Sequence, residues 1–260
     1  MTTESVLQRL GFSFERGGAH TARTMMLDEL TRLIAYVADT DASIATYMTA
    51  CVDDNCLGKQ SGKTRLLTYR HLVDLYSLDT SKLVFRSLLY FWHRDEAARP
   101  FLAMLCTFVR DGIFRASAEF VQKVPIGATI KRQTLEAFVD DLQPGRFSAA
   151  TLKSVAQNIN SSWTQSGHES GRAVKIRTQA RATPGAVAYA LVLGYVKGIR
   201  GYSLFETEYI NALDCSTDTA IALAEQASRR GWIVVKRIGD VIDVSIQNLL
   251  TTEEREWLSG

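Results

Sequence analysis

Residues 147–181 read FSAATLKSVAQNINSSWTQSGHESGRAVKIRTQAR. Leu152, Val155, Ala156, Ile159 and Trp163 recur at the i, i+3, i+4, i+7 spacing of a helix buried along one side, and Ser148 is placed to cap its start. The opposite face carries Lys153, Gln157, Asn160, Ser161 and Thr164, side chains able to hydrogen-bond to base edges and phosphates. After the glycines, Arg172, Lys175, Arg177 and Arg181 follow with no acid among them. The alternation over residues 172–178 predicts a strand with Val174 and Ile176 facing inward and Lys175 and Arg177 outward. His168, beside this basic segment, is expected as a loop residue or a phosphate contact.

Upstream, Lys131 to Leu142 is an amphipathic helix with Leu135, Phe138, Val139 and Leu142 inward, and Pro144-Gly145 makes a turn into the next helix. Two helices followed by a basic ribbon are what a winged helix-turn-helix offers to DNA.

The charge supports this. The whole chain is nearly balanced, with 30 basic and 28 acidic residues. Residues 1–145 hold 17 of each sign, residues 146–200 hold eight basic and one acidic, and residues 201–260 hold five basic and ten acidic. Positive charge concentrated in one segment points to a polyanion. The plain alternative is a solvated basic face whose acids lie elsewhere.

On either side of this segment the chain reads as mainly α. Residues 11–20, GFSFERGGAH, form a loop or extended arm. Helices are expected around Met26 to Val37, Ser43 to Val52, and from Ser61 or Thr64 to Tyr76. Further helices are expected after Ser81 as N-cap, at Ala98 to Val109 with Pro100 in the first turn, and at Phe114 to Val124. Thr183-Pro184 opens a strongly apolar helix through Tyr195, and Asp218 to Arg230 is a helix closed by Gly231. Trp232 to Ile238 and Val241 to Gln247 are strands joined at Gly239-Asp240. The expected architecture is a helical bundle with winged-helix-like helix-turn-helix elements and short β-hairpins. It divides into an N-terminal bundle (1–127), a basic DNA-binding region (128–201) and an acidic helix-plus-hairpin module (202–260).

Several chemistries find no support. The longest apolar run, Ala186 to Val196, is far shorter than the ~20 residues that span a bilayer, so no membrane partner is expected. The N-terminus lacks the basic start and apolar core of a secretory signal, which predicts a cytoplasmic chain. Four cysteines with no CxxC pair suit reduced core thiols. Gly58-Lys-Gln-Ser-Gly-Lys-Thr64 is one residue short of a phosphate-binding P-loop and follows a helical pattern rather than a strand. Lys63 and Arg65 remain candidates for a nucleic-acid phosphate there. Asp53-Asp54-Asn55 lacks the spacing of a calcium loop. The four histidines are scattered, and there is no HExxH or GxSxG motif. No cofactor, metal or catalytic residue is expected. An enzymatic reading would need a concave cluster of titratable residues drawn from distant positions.

Several short motifs together resemble the BrxA family of bacterial BREX (bacteriophage exclusion) defence systems. They are the Phe12-Ser-Phe14 and Gly17-Gly18 arm leading to a helix with Arg23 and Met25-Met26, and Asp54-Asn55-Cys56-Leu57 followed by Ser61, Thr64 and Arg65. The third is the helix-turn from Ala98 to Arg115 leading into Lys131 to Phe147, a further helix and the basic tail. The resemblance spans roughly residues 10–200. It implies a small, mostly helical, winged-helix DNA binder without catalytic activity of its own, acting beside a methyltransferase, an ATPase and other phage-defence proteins. The chain departs from that pattern beyond Gly201, where the acidic module extends it. Double-stranded DNA is therefore the expected partner, a homo-oligomer is compatible with the sequence, and a structural adaptor that docks protein partners without DNA is the alternative.

Overall fold

Hydroxyl side chains start most of the helices. In the computed structural model, which describes residues 2–14, 17–239 and 241–259, Thr2 caps α1 (Thr3–Leu10) by accepting from the Ser5 N–H. α2 (Leu27–Val37) follows the arm. Ser43 caps α3 (Ile44–Val52) and Ser61 caps α4 (Gly62–Tyr76), each accepting an N–H three residues on. Such caps satisfy backbone donors that a helix start leaves free. α5 (Leu83–Trp92) and α6 (Arg99–Arg110) follow, and Asp111 caps α7 (Gly112–Lys123) through the Ile113 and Phe114 N–H groups. Then come β1 (Thr129–Ile130), α8 (Arg132–Leu142), α9 (Ala149–Gln165), β2 (Glu169–Ser170) and β3 (Lys175–Arg177). The chain ends with α10 (Pro184–Val196), α11 (Glu208–Asn211), α12 (Thr217–Arg229), β4 (Val234–Ile238), β5 (Val241–Ser245) and α13 (Thr252–Ser259). The fold is thus mainly helical with two small antiparallel sheets.

The apolar run of residues 186–196 is an internal helix. Every residue of α10 from Gly185 to Val196 is buried, and the helix packs against α5, α6, α11 and α12. A helix hydrophobic all round belongs inside a core or a membrane; no helix of the described residues is long and apolar enough to cross a membrane. Gly185 allows its close approach, because a Cβ there would lie 2.8 Å from the Asp95 side chain. Nearly all the buried apolar side chains of the described residues form one cluster running from Val6 to Leu250.

The expected helices from Met26 to Tyr76, at Pro184 and at Asp218 are present, each within a residue or two. Ser81 is not the cap of α5: its hydroxyl instead donates to the Asp79 carboxylate, and Lys82 holds the cap position without a side-chain bond. The Gly58 to Thr64 segment follows α3 and a turn, and Ser61 caps the next helix. The hairpin β4–β5 pairs Val234 with Ser245 through to Ile238 with Val241. Its turn includes Gly239 at φ +59°, a left-handed value that favours glycine; Asp240, the other expected turn residue, lies outside the described residues. α1, α11 and α13 have no counterpart in the sequence expectation. α1 buries only Val6, Leu7 and Leu10, too short a stripe to stand out from its polar surroundings.

The first sheet has strand order β1-β3-β2, all antiparallel. Its register pairs Ile130 with Lys175 and Glu169 with Arg177 on one face, and Thr129 and Ser170 with Ile176 on the other. This reverses the sequence expectation. Val174 and Ile176 are 59% and 40% exposed, whereas Arg177 is 2% exposed. A one-residue shift in register moves every side chain of a strand to the other face. Arg177 is drawn inward by bonds that an exposed position would not offer.

Candidate nucleic-acid interface

α9 is fixed by its inner face. Val155, Ala156, Ile159 and Trp163 are fully buried, and the Trp163 Nε1–H donates to Ser117 Oγ at 2.9 Å while its ring stacks on Phe114. A residue of the N-terminal arm adds a polar anchor. His20 stacks on the other partner of that ring pair, Phe114, at 4.5 Å. Its Nδ1 lies 2.9 Å from Asp111 Oδ2 and its Nε2 lies 2.8 Å from Ser162 Oγ on α9. Burial pushes the Asp111 carboxyl up, but His20 and the N–H groups of Phe114 and His20 outweigh it and hold the group below its ordinary value. Gly18 is required beside it, since a Cβ there would fall 2.1 Å from the Asp111 carboxyl.

The order Asp111–His20–Ser162 is that of a hydrolase triad. Its serine is not available as a nucleophile: Ser162 is buried, accepts the Met25 N–H and donates to the Asn158 carbonyl. The three residues tie the arm and α7 to α9. A recess of about 300 Å³ beside them is lined by His71, Asp74, Arg110 and Asp111 among others. Arg110 there donates to the carbonyls of Gly11, Val73 and Asp74. Among the described residues no group of three or more His, Cys, Asp or Glu side chains is arranged to hold a metal ion.

The outward side of α9 leads to a second recess. Ile130, Arg132, Gln157, Asn160, Ser161, Arg172, Ala173 and Lys175 line a cavity of about 570 Å³ between α9, the start of α8 and the β2–β3 turn. Five of these, Gln157, Asn160, Ser161, Arg172 and Lys175, are residues that the sequence selects. Lys153 and Gln157 are exposed on α9, Ser161 and Thr164 are half-buried, and Asn160 is 4% exposed. Lys175 reaches back to α9, its Nζ donating to Thr164 Oγ1 at 2.9 Å and to the Gly171 carbonyl at 2.7 Å. Arg132, which the sequence did not single out, lies 2.7 Å from the Glu136 carboxylate. Its place just after β1 is visible only once β1 pairs with β3. No protein-family model matches the chain, and no curated protein matches it.

Five other selected residues lie elsewhere or are engaged otherwise. His168 is 1% exposed, with Nδ1 2.9 Å from Ser166 Oγ and Nε2 2.9 Å from the Ala212 carbonyl. Burial, reinforced by Arg177 against the opposing pull of Asp214, brings its pKa down to about 4. It is a core residue rather than a loop or phosphate contact, because Trp163 and Phe101 pack against its ring. Arg177 is also interior. Its Nη1 and Nη2 donate to the two Asp214 carboxylate oxygens at 3.0 and 2.8 Å, and its Nε donates to the Val121 carbonyl. Arg65 donates to the Val52 carbonyl within its own neighbourhood. Lys63 and Arg181 are exposed, and neither they nor Arg65 line the recess.

Sequence reasoning also missed Glu169. It is 2% exposed, and neither carboxylate oxygen has a hydrogen-bond partner among the described residues. Burial raises its pKa from 4.5 to about 8 despite the opposing effect of Lys175 and Arg177. The folded state therefore keeps a proton that the unfolded chain releases near pH 4.5, so stability falls as pH rises from about 4.5 to about 8. Glu169→Gln, a neutral isostere, is expected to unfold at the wild-type temperature near pH 4.5 and at a higher temperature near pH 8. Thermal unfolding at the two pH values measures this, and equal pH dependence in both proteins would contradict it.

Proposed function

We propose that the chain is a non-enzymatic double-stranded DNA-binding protein, with α9 as its recognition helix and the β2–β3 turn as a basic wing. One observation carries the reading. Gln157, Asn160, Ser161, Arg172 and Lys175, chosen from the sequence for their nucleic-acid chemistry, line a single recess on the outward side of α9. The chain order α7-β1-α8-α9-β2-β3 with sheet order β1-β3-β2 supports a winged helix. Such a unit lays its second helix in the major groove while cations contact phosphates. Lys153, Gln157, Ser161 and Thr164 are the α9 residues assigned to the groove face, and Arg172, Lys175 and Arg181 the cations assigned to phosphates. His168 and Arg177 leave the interface, since both are interior. The resemblance of residues 10–200 to BrxA proteins supports a phage-defence role in a BREX-like system, beside other defence proteins.

The test is an electrophoretic mobility shift with duplex DNA. Lys153→Glu and Arg172→Glu, both at exposed positions, are expected to weaken binding strongly while leaving the thermal midpoint unchanged. Unaltered binding by the double variant would contradict the proposal.

A second reading, a structural adaptor, is favoured by the β4–β5 hairpin. Its tip exposes Ile238 by 84% and Val241 by 72%, apolar side chains suited to a protein partner. A stable partner that co-purifies without nucleic acid, with loss of that partner on Ile238→Asp, would support it.

A further inference from the structure

We propose that the α9 recess holds one nucleotide unit, its base edge on Asn160 and its phosphate on Arg172 and Lys175; this deepens the DNA-binding reading and rests on it. Asn160 is 4% exposed, and its Oδ1 is buried with no hydrogen-bond partner among the described residues. A buried carbonyl oxygen left unpaired is costly, so native folds pair nearly all of them. Here the unpaired oxygen belongs to a residue lining a cavity of about 570 Å³, within the roughly 300–1,000 Å³ of small-ligand sites.

The chemistry of the lining selects the ligand. Three cations, Arg132, Arg172 and Lys175, line the recess and no carboxylate does. Glu136 offsets Arg132, which leaves Arg172 and Lys175 for an anion. Two of the three Lys175 N–H donors are held by Thr164 Oγ1 and the Gly171 carbonyl, so the ammonium is oriented with one donor left for a phosphate oxygen. Asn160 requires a donor, and its amide is the complement of the amino group and ring nitrogen that adenine presents side by side. Depth decides how the base arrives. A stacked base pair running along α9 meets the exposed Lys153 and Gln157, whereas Asn160 lies beneath them. Only a base turned out of the stack, or a free nucleotide, reaches it.

Fluorescence anisotropy with the full chain separates these sources. The probes are a perfect duplex, the same duplex carrying one unpaired adenosine or one unpaired thymidine, and dAMP as competitor. The unpaired-adenosine duplex is expected to bind about tenfold tighter than the other two, the discrimination a well-placed asparagine–adenine pair provides. Asn160→Ala is expected to remove that preference, so that the unpaired-adenosine and unpaired-thymidine duplexes bind alike. Gln157→Ala, at an exposed position that cannot unsettle the core, is a second variant expected to reduce it. If all three duplexes bind equally and dAMP does not bind, or if Asn160→Ala retains the preference, the recess proposal is overturned and the DNA-binding reading stands. Saturable, Asn160-dependent binding of dAMP without binding of any duplex would keep the recess and overturn the DNA-binding reading. No binding of any probe would overturn both.

Discussion

Replacement of Arg177 by alanine is expected to lower the unfolding free energy by about 3–5 kcal/mol, the cost of breaking a buried ion pair by removing one partner. Arg177 is 2% exposed and spans three parts of the chain. It holds the Val121 carbonyl at the end of α7, the His168 carbonyl before β2, and both oxygens of Asp214 after α11. Asp214 in turn accepts the Ala180 N–H. Truncation removes the guanidinium from that carboxylate, which keeps the Ala180 N–H, and from two carbonyls that still accept the Val124 and Thr178 N–H groups. Lysine is not expected to rescue, because a point charge cannot reproduce the bidentate fork. Arg172→Ala, five residues earlier but exposed, is expected to stay within about 0.5 kcal/mol of wild type. Urea unfolding of the three variants decides: equal midpoints for Arg177→Ala and Arg172→Ala would show that the Asp214 pair does not hold the sheet to the acidic module.

Asp111→Ala is expected to be comparably damaging, by about 3–5 kcal/mol. The carboxylate caps α7 through Ile113 and Phe114 and receives the His20 N–H and Nδ1. Its loss leaves the His20 backbone N–H and Nδ1 without that acceptor, so the His20 contact with Ser162 is the ring's remaining polar anchor and the arm loosens on α9. Asp111→Asn keeps a good cap but removes the charge facing His20, so an intermediate loss is expected. Limited proteolysis within residues 11–26 provides a local readout. Accelerated cleavage there in Asp111→Ala, ahead of global unfolding, is the expected result; cleavage at the wild-type rate would mean that the His20–Asp111–Ser162 chain does not secure the arm.

These two clusters also show where sequence reading stops. Helix starts were largely legible because each rests on residues within three positions: Ser61 and Ser148 cap as expected and Thr183 caps the helix it opens, whereas Ser81 does not cap α5. The buried stripe of α9 and the internal α10 followed from spacing and apolarity alone. The face of β3 did not. Its alternation of apolar and basic residues is equally regular in both registers, and the choice is made by Asp214, 37 residues later in the chain. The His20–Asp111–Ser162 chain joins positions 91 and 142 residues apart, beyond any local pattern. Within the candidate interface, polar α9 residues could be picked out by helical phase. Which of them lie at the surface and which at depth, Gln157 against Asn160, is a matter of tertiary packing that helical phase alone does not carry.

Binding of the purified chain to duplex DNA across a salt series tests most directly whether α9 and the β2–β3 turn form a DNA interface. The expected result is that log K falls linearly with log salt, and that Lys153→Glu and Arg172→Glu each reduce the slope by about 0.9 for every phosphate the variant no longer neutralises. Affinity too weak to titrate at low salt, or a slope unchanged in both variants, would contradict it.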